Sequence, residues 1–111
     1  MPTFITQGRF TQEALRGMLA KPEDRAEAVA KLFAATGGKL LSYYMTFGDY
    51  DFLIVSEGPD EGVATSSIVA KASGGVAELK TTLAISSGDM KGAFAKAGSV
   101  AAKFKTAGAQ A

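Results

Sequence analysis

Polar and apolar positions alternate at the start of the chain. The run Thr3 to Phe10 is rich in Thr, Phe and Ile, which predicts a strand. From Thr11 the period changes: Leu15, Met18 and Leu19 recur at the spacing of one helix face. Thr11 is placed as the N-cap, and Phe10 and Leu15 as a hydrophobic staple. Pro22 interrupts this helix and opens a second, with Ala26, Val29, Ala30 and Phe33 as its apolar face and Gly37-Gly38 as its stop. Residues 39–47 and 50–57 read as strands, joined through Gly48-Asp49, the signal for a type II′ hairpin. Gly58-Pro59-Asp60 then opens a helix over 61–72 whose periodicity is weak, and Gly74-Gly75 ends it. Residues 76–85 alternate again, with Ala77, Leu79, Thr81, Leu83 and Ile85 on one face and Glu78, Lys80, Thr82 and Ala84 on the other. After a break at 86–88, Met90, Phe94, Ala97, Ala101 and Phe104 form a heptad-like seam over 89–105. Residues 106–111 are expected to fray.

The order β-α-β-β-α-β plus a C-terminal helix predicts an α+β, ferredoxin-like domain. Its antiparallel sheet carries helices on one face and leaves the other uncovered. Ser42, Tyr44, Thr46, Lys80 and Thr82 are expected on the open face, with Leu40 and Ala84 as its apolar members. Such a face meets a second subunit, binds a ligand, or stays solvated. Residues 1–87 are read as the domain and 88–111 as a helical extension, which either docks on the domain or embraces a neighbouring subunit.

The chain of 111 residues is of one-domain size, and its 47% hydrophobic content fits a packed fold. Twelve Lys and Arg against eleven Asp and Glu leave a net charge of +1, which argues against nucleic acid held by charge alone. Cys, His, Trp and Asn are absent. Disulfides, thiolate nucleophiles, Cys-bound zinc and Ser-His catalysis are thereby excluded. The N-terminus lacks the pattern of a signal peptide, and no apolar run reaches membrane-spanning length. A cytoplasmic protein without membrane or nucleic-acid partners is expected.

Few motifs suggest chemistry. Gly48-Asp49-Tyr50-Asp51 reads either as a turn with cross-strand packing or as part of a polar pocket at the end of the sheet. Tyr50 and Phe52 occupy the aromatic positions of an RNA-recognition strand, but Asp49 and Asp51 stand where small residues belong and the basic residue is missing. The acids 49 and 51 lack the rest of a calcium loop, so no metal site is expected. No serine elbow, phosphate loop or dinucleotide fingerprint appears, and no cofactor is expected. The remaining candidates for a ligand pocket are Arg9, Tyr44, Tyr50, Asp51, Lys80 and Thr82, with Tyr43 beside them. Arg9 or Lys80 would hold an anion, and Tyr44 would stack or donate.

Thr46-Phe47-Gly48-Asp49-Tyr50-Asp51-Phe52 resembles the Gly-x-Tyr-Asp segment of the GYD-domain family. The Met-Pro-Thr-Phe start, residues 22–28, Gly37-Gly38-Lys39 and Gly58-Pro59-Asp60-Glu61 are similar to its other segments, in order, over residues 1–87. The resemblance implies a dimeric α/β-barrel type of fold in bacteria or archaea, with no assigned reaction. Its motif residues fall on Gly48, Tyr50 and Asp51. Together these readings point to a small-molecule-binding or oligomeric accessory protein that pairs through its open sheet face. The alternatives are a cofactor-independent, monooxygenase-like enzyme with Tyr44, Asp51, Lys80 and Arg9 in its pocket, and a purely structural assembly protein.

Overall fold

A computed structural model describes residues 1–108. The elements are β1 (Thr3–Phe10), α1 (Gln12–Ala20), α2 (Arg25–Ala35), β2 (Lys39–Met45), β3 (Phe52–Glu57), α3 (Asp60–Ala72), β4 (Val76–Ala84) and α4 (Ser87–Ala101). The four strands form one antiparallel sheet in the order β2-β3-β1-β4, the ferredoxin-like arrangement. Residues 109–111, part of the stretch expected to fray, lie outside the described residues.

Local chemistry starts the helices. Thr11 caps α1 by accepting from the Ala14 amide, and its own hydroxyl donates to the Gly74 carbonyl. Asp24, not Pro22, sets the start of α2, because its carboxylate accepts from the Ala26 amide. Gly37 and Gly74 carry the positive φ that ends α2 and α3.

Register decides which side chains meet the helices. On the covered face, Leu40, Ser56, Phe4 and Leu83 form one cross-strand row. Tyr43, Ile54, Thr6 and Thr81 form the next, and Met45, Phe52, Gly8 and Leu79 a third. Leu40 was expected on the open face. The register shift between Leu40 and Ser42 turns it inward, against the core. Phe33, Phe52 and Ile54 are the buried centre, joined by Phe10, Val29, Tyr43, Val76 and Leu79. Phe52 packs tilted against Phe10, with ring centroids 4.9 Å apart, and parallel to Tyr43 at 6.1 Å. A Cβ on Gly8 would collide with the Phe52 ring and come within 2.6 Å of the Glu78 carbonyl, so this row requires glycine.

Two helices depart from expectation. α1 turns Ala14 and Met18 inward and leaves Leu19 82% exposed, so the Leu15–Leu19 edge faces outward. α4 packs along no other element among the described residues. The chain measures 64 × 29 × 23 Å, with a radius of gyration of 18.4 Å. A compact chain of this length would have roughly 13 Å. The Phe94 and Phe104 rings of the seam are 70% and 73% exposed.

Candidate functional site

α2 and α3 touch at one clamp. Gly62 lets the start of α3 approach the Thr36 carbonyl, where a Cβ would collide, and the Thr36 and Ser66 hydroxyls share a 2.8 Å hydrogen bond. Away from the clamp, many of the helix residues that line the space are small: Val63, Ser67 and Ala70 on α3, and Ala14 and Gly17 on α1. They do not fill the space above the sheet. A cleft of about 620 Å³ opens between the layers, floored by Phe10, Phe52, Ile54, Tyr43 and Leu79 and walled by Met18, Val29 and Phe33. Interiors ordinarily pack without voids of this size, and pockets for small molecules commonly measure some 300–1,000 Å³.

The polar groups of the cleft are mostly occupied. Thr6 and Thr81 share a 3.0 Å hydrogen bond between hydroxyls. Ser67 and Ser73 donate to the Val63 and Ala70 carbonyls of their own helix. At the rim, Arg25 pairs with Glu23 at 3.0 Å. Tyr43 and Lys21 also line the cleft, and the side chain of neither makes a hydrogen bond or ion pair among the described residues. Burial pushes the Tyr43 phenol above its ordinary value; Arg25 pulls it down and Asp24 adds to the rise.

The residues expected to form a pocket lie elsewhere. On the open face, Tyr44, Leu53, Gln7 and Lys80 make one row, and Ser42, Val55, Ile5 and Thr82 the next. Tyr44 and Lys80 stand on opposite edge strands, roughly 14 Å apart at three strand spacings. Arg9 ends this face: it pairs with Glu78 at 3.4 Å and lies 5.7 Å from the centre of the Tyr50 ring. Tyr50 borders a shallow depression of about 330 Å³ with Gln7, Thr46, Phe47, Gly48 and Asp49. The structure therefore brings Arg9 and Tyr50 together, sets Lys80 and Thr82 along β4, and leaves Tyr44 apart.

Asp51 serves the backbone. Its Oδ2 accepts from the Phe10 amide at 2.9 Å, its amide donates to the Gly8 carbonyl at 2.8 Å, and its carbonyl accepts from the Thr46 amide at 2.8 Å. The carboxylate thus extends the β1–β3 ladder past Gly8, next to the register shift at Arg9/Phe10. The expected type II′ turn does not form, because Gly48 lacks the positive φ that such a turn needs. Instead, residues 46–51 make a six-residue loop, also braced by the Thr46 hydroxyl donating to the Tyr50 carbonyl. Phe52 is buried under the helices, so it and Tyr50 do not form an exposed aromatic platform.

The family model described as "GYD domain" matches residues 4–94. A protein of Thermus thermophilus, named glutamine synthetase and cystathionine beta-lyase binding protein, is 29% identical over 90 residues, spanning 81% of this chain and 95% of its own length. The crystal structure of MtbAldR superimposes with a TM-score of 0.52 at 12% identity, covering 77% of this chain and 52% of that one. That of TTHA0845, also from Thermus thermophilus, gives 0.49 at 19% identity, covering 78% of this chain and 96% of that one. No helix among the described residues is long and apolar enough to cross a membrane.

Proposed function

The chain belongs to the GYD-domain family, and we propose that it is a small-molecule-binding accessory protein that acts as a homo-oligomer and performs no reaction of its own. The observation that carries this reading is the cleft of about 620 Å³ between sheet and helices, apolar within and charged only at its rim. The motif aspartate does not argue for catalysis, since its carboxylate is engaged by the Phe10 amide. The name of the Thermus relative, a binding protein for two enzymes, supports an accessory role.

Self-association is the second part of the proposal. The open face presents Ile5, Leu53 and Val55 without a covering layer among the described residues, and α4 stands clear with Phe94 exposed, as is Phe104 just past its end. A lone 15-residue helix holding Gly92 and Gly98 is marginal in water, so α4 gains from a surface to lie on. Residues 1–86 carry eight Lys and Arg against ten Asp and Glu; residues 87–111 carry four Lys against one Asp. The basic arm thus complements the acidic body of a second copy.

Native mass spectrometry of protein purified without added ligand tests both parts. An oligomer carrying a small mass, released on denaturation, is the expected result. A monomer would contradict the self-association. An oligomer that stays bare, even after incubation with hydrophobic compounds, would contradict the ligand-binding role. Phe94→Ser with Phe104→Ser should weaken association and leave the domain folded.

A further inference from the structure

The cleft's polar lining separates into groups that are satisfied internally and groups that are not. Thr6, Ser66, Ser67 and Ser73 hydroxyls all bond within the protein, and Glu23 is paired with Arg25. The Ser66, Ser67 and Ser73 protons are thus spent within the protein, and these hydroxyls keep only acceptor lone pairs. The two side chains left over are Tyr43 and Lys21. Tyr43 is half-buried on the floor, with Arg25 and Asp24 within electrostatic reach of its hydroxyl. Lys21 lies at the exposed rim where α1 gives way to α2. A protonated phenol donates a hydrogen bond, and an ammonium donates three. Both suit an anionic oxygen. Arg25 is paired with Glu23 and the Asp24 carboxylate is engaged by the Ala26 amide, so Lys21 is the rim cation without an ion-pair partner among the described residues.

We propose that the cleft takes an apolar molecule ending in one carboxylate or similar anionic group, its hydrocarbon part on Phe10, Phe52, Ile54 and Leu79 and its head at Tyr43 and Lys21. The inference rests on reading the cleft as a ligand site and adds the chemical class. A neutral head would leave the Lys21 charge unused, and a cationic head would face it directly. A ligand with several charges would place some of them against the apolar side chains of Val29 and Phe33.

Three probes with one tail and different heads decide the matter: octanoate, 1-octanol and octylammonium, titrated calorimetrically into the full chain at neutral pH. Octanoate is expected to bind about tenfold more tightly than 1-octanol, the increment of one charge-assisted hydrogen bond. Octylammonium should bind most weakly. Tyr43→Phe, which keeps the ring on Phe52, and Lys21→Gln should each weaken octanoate several-fold and leave 1-octanol within about twofold, because each removes one donor to the anion. Equal binding of the three probes, or octanoate unchanged in both variants, would overturn the head-group assignment while leaving the cleft as a site. Two filling variants from different helices, Ala70→Phe and Ala14→Phe, should abolish binding of every probe. If folded forms of both bind all three as well as the wild type, or if no probe binds the wild type, the cleft reading itself fails.

Discussion

Replacing Asp51 by Ala separates a structural carboxylate from a reacting one. The Phe10 amide would lose its acceptor at 2.9 Å. Among the described residues no other acceptor is recorded for it, since the β1–β3 register ends at Gly8↔Phe52 and the β1–β4 register shifts at Arg9/Phe10. An amide left half-buried without a partner costs about 1–3 kcal/mol, and partial access to water puts this one near 1.5 kcal/mol. With an unfolding entropy of about 2.1 cal/mol/K per residue, that lowers the melting temperature by about 6 °C. The backbone bonds of Asp51 to Gly8 and Thr46 survive the substitution, so the loss reports on the carboxylate. Asp51→Asn keeps an acceptor oxygen and should cost about half as much. Thermal unfolding followed by circular dichroism measures the shift, and octanoate titration checks that the cleft is intact. A melting temperature within about 1 °C of wild type for Asp51→Ala would refute the latch. So would an Asp51→Asn protein of unchanged stability that had lost its ligand response or a turnover.

Two further predictions test the packing and the floor of the cleft. Gly8→Ala should destabilise by about 2–3 kcal/mol, because the new methyl meets the Phe52 ring and a backbone carbonyl held in the ladder, whereas Gly48→Ala, with open space around it and no positive φ, should stay within about 0.5 kcal/mol; urea unfolding midpoints compare the two. The Tyr43 phenol is raised above the ordinary 10.0, chiefly by burial, so the folded state holds that proton more tightly than the unfolded chain. The associated stability is complete below the unfolded value and is lost as pH climbs through the folded one. Melts of wild type and Tyr43→Phe between about pH 8 and 11 should diverge only at the alkaline end; parallel curves would show a solvent-exposed phenol.

The strands and helices were legible because alternation, 3.6-residue periodicity, caps and glycine stops all point the same way. Lys80, Thr82 and Tyr44 lie on the open face as the alternation implied, but Leu40 does not, because one extra residue at Leu41 reverses the face and alternation carries no mark of a bulge. Gly48-Asp49 suggested a two-residue turn, yet the loop is set by Asp51 reaching a distant strand, a contact 41 residues away. The cleft was missed for a different reason. The weak periodicity of α3 was visible, with Ser66, Ser67 and Ala70 where a core helix would place larger residues. Small residues on one helix leave a void only if the opposite wall stays back, and the Thr36–Ser66 clamp that sets the spacing joins residues 30 apart. The seam of α4 was equally plain, but periodicity gives a helix an apolar face without saying what covers it.

The claim that a ligand enters between the helices and the sheet is tested most directly by amide chemical-shift mapping of octanoate binding on isotopically labelled protein. Saturable shifts should cluster at Val29, Phe33, Tyr43, Ile54 and Leu79, which line the cleft. Shifts confined to Arg9, Tyr44, Lys80 and Thr82, or to α4, would contradict the account and return the site to the open face of the sheet or to the free helix.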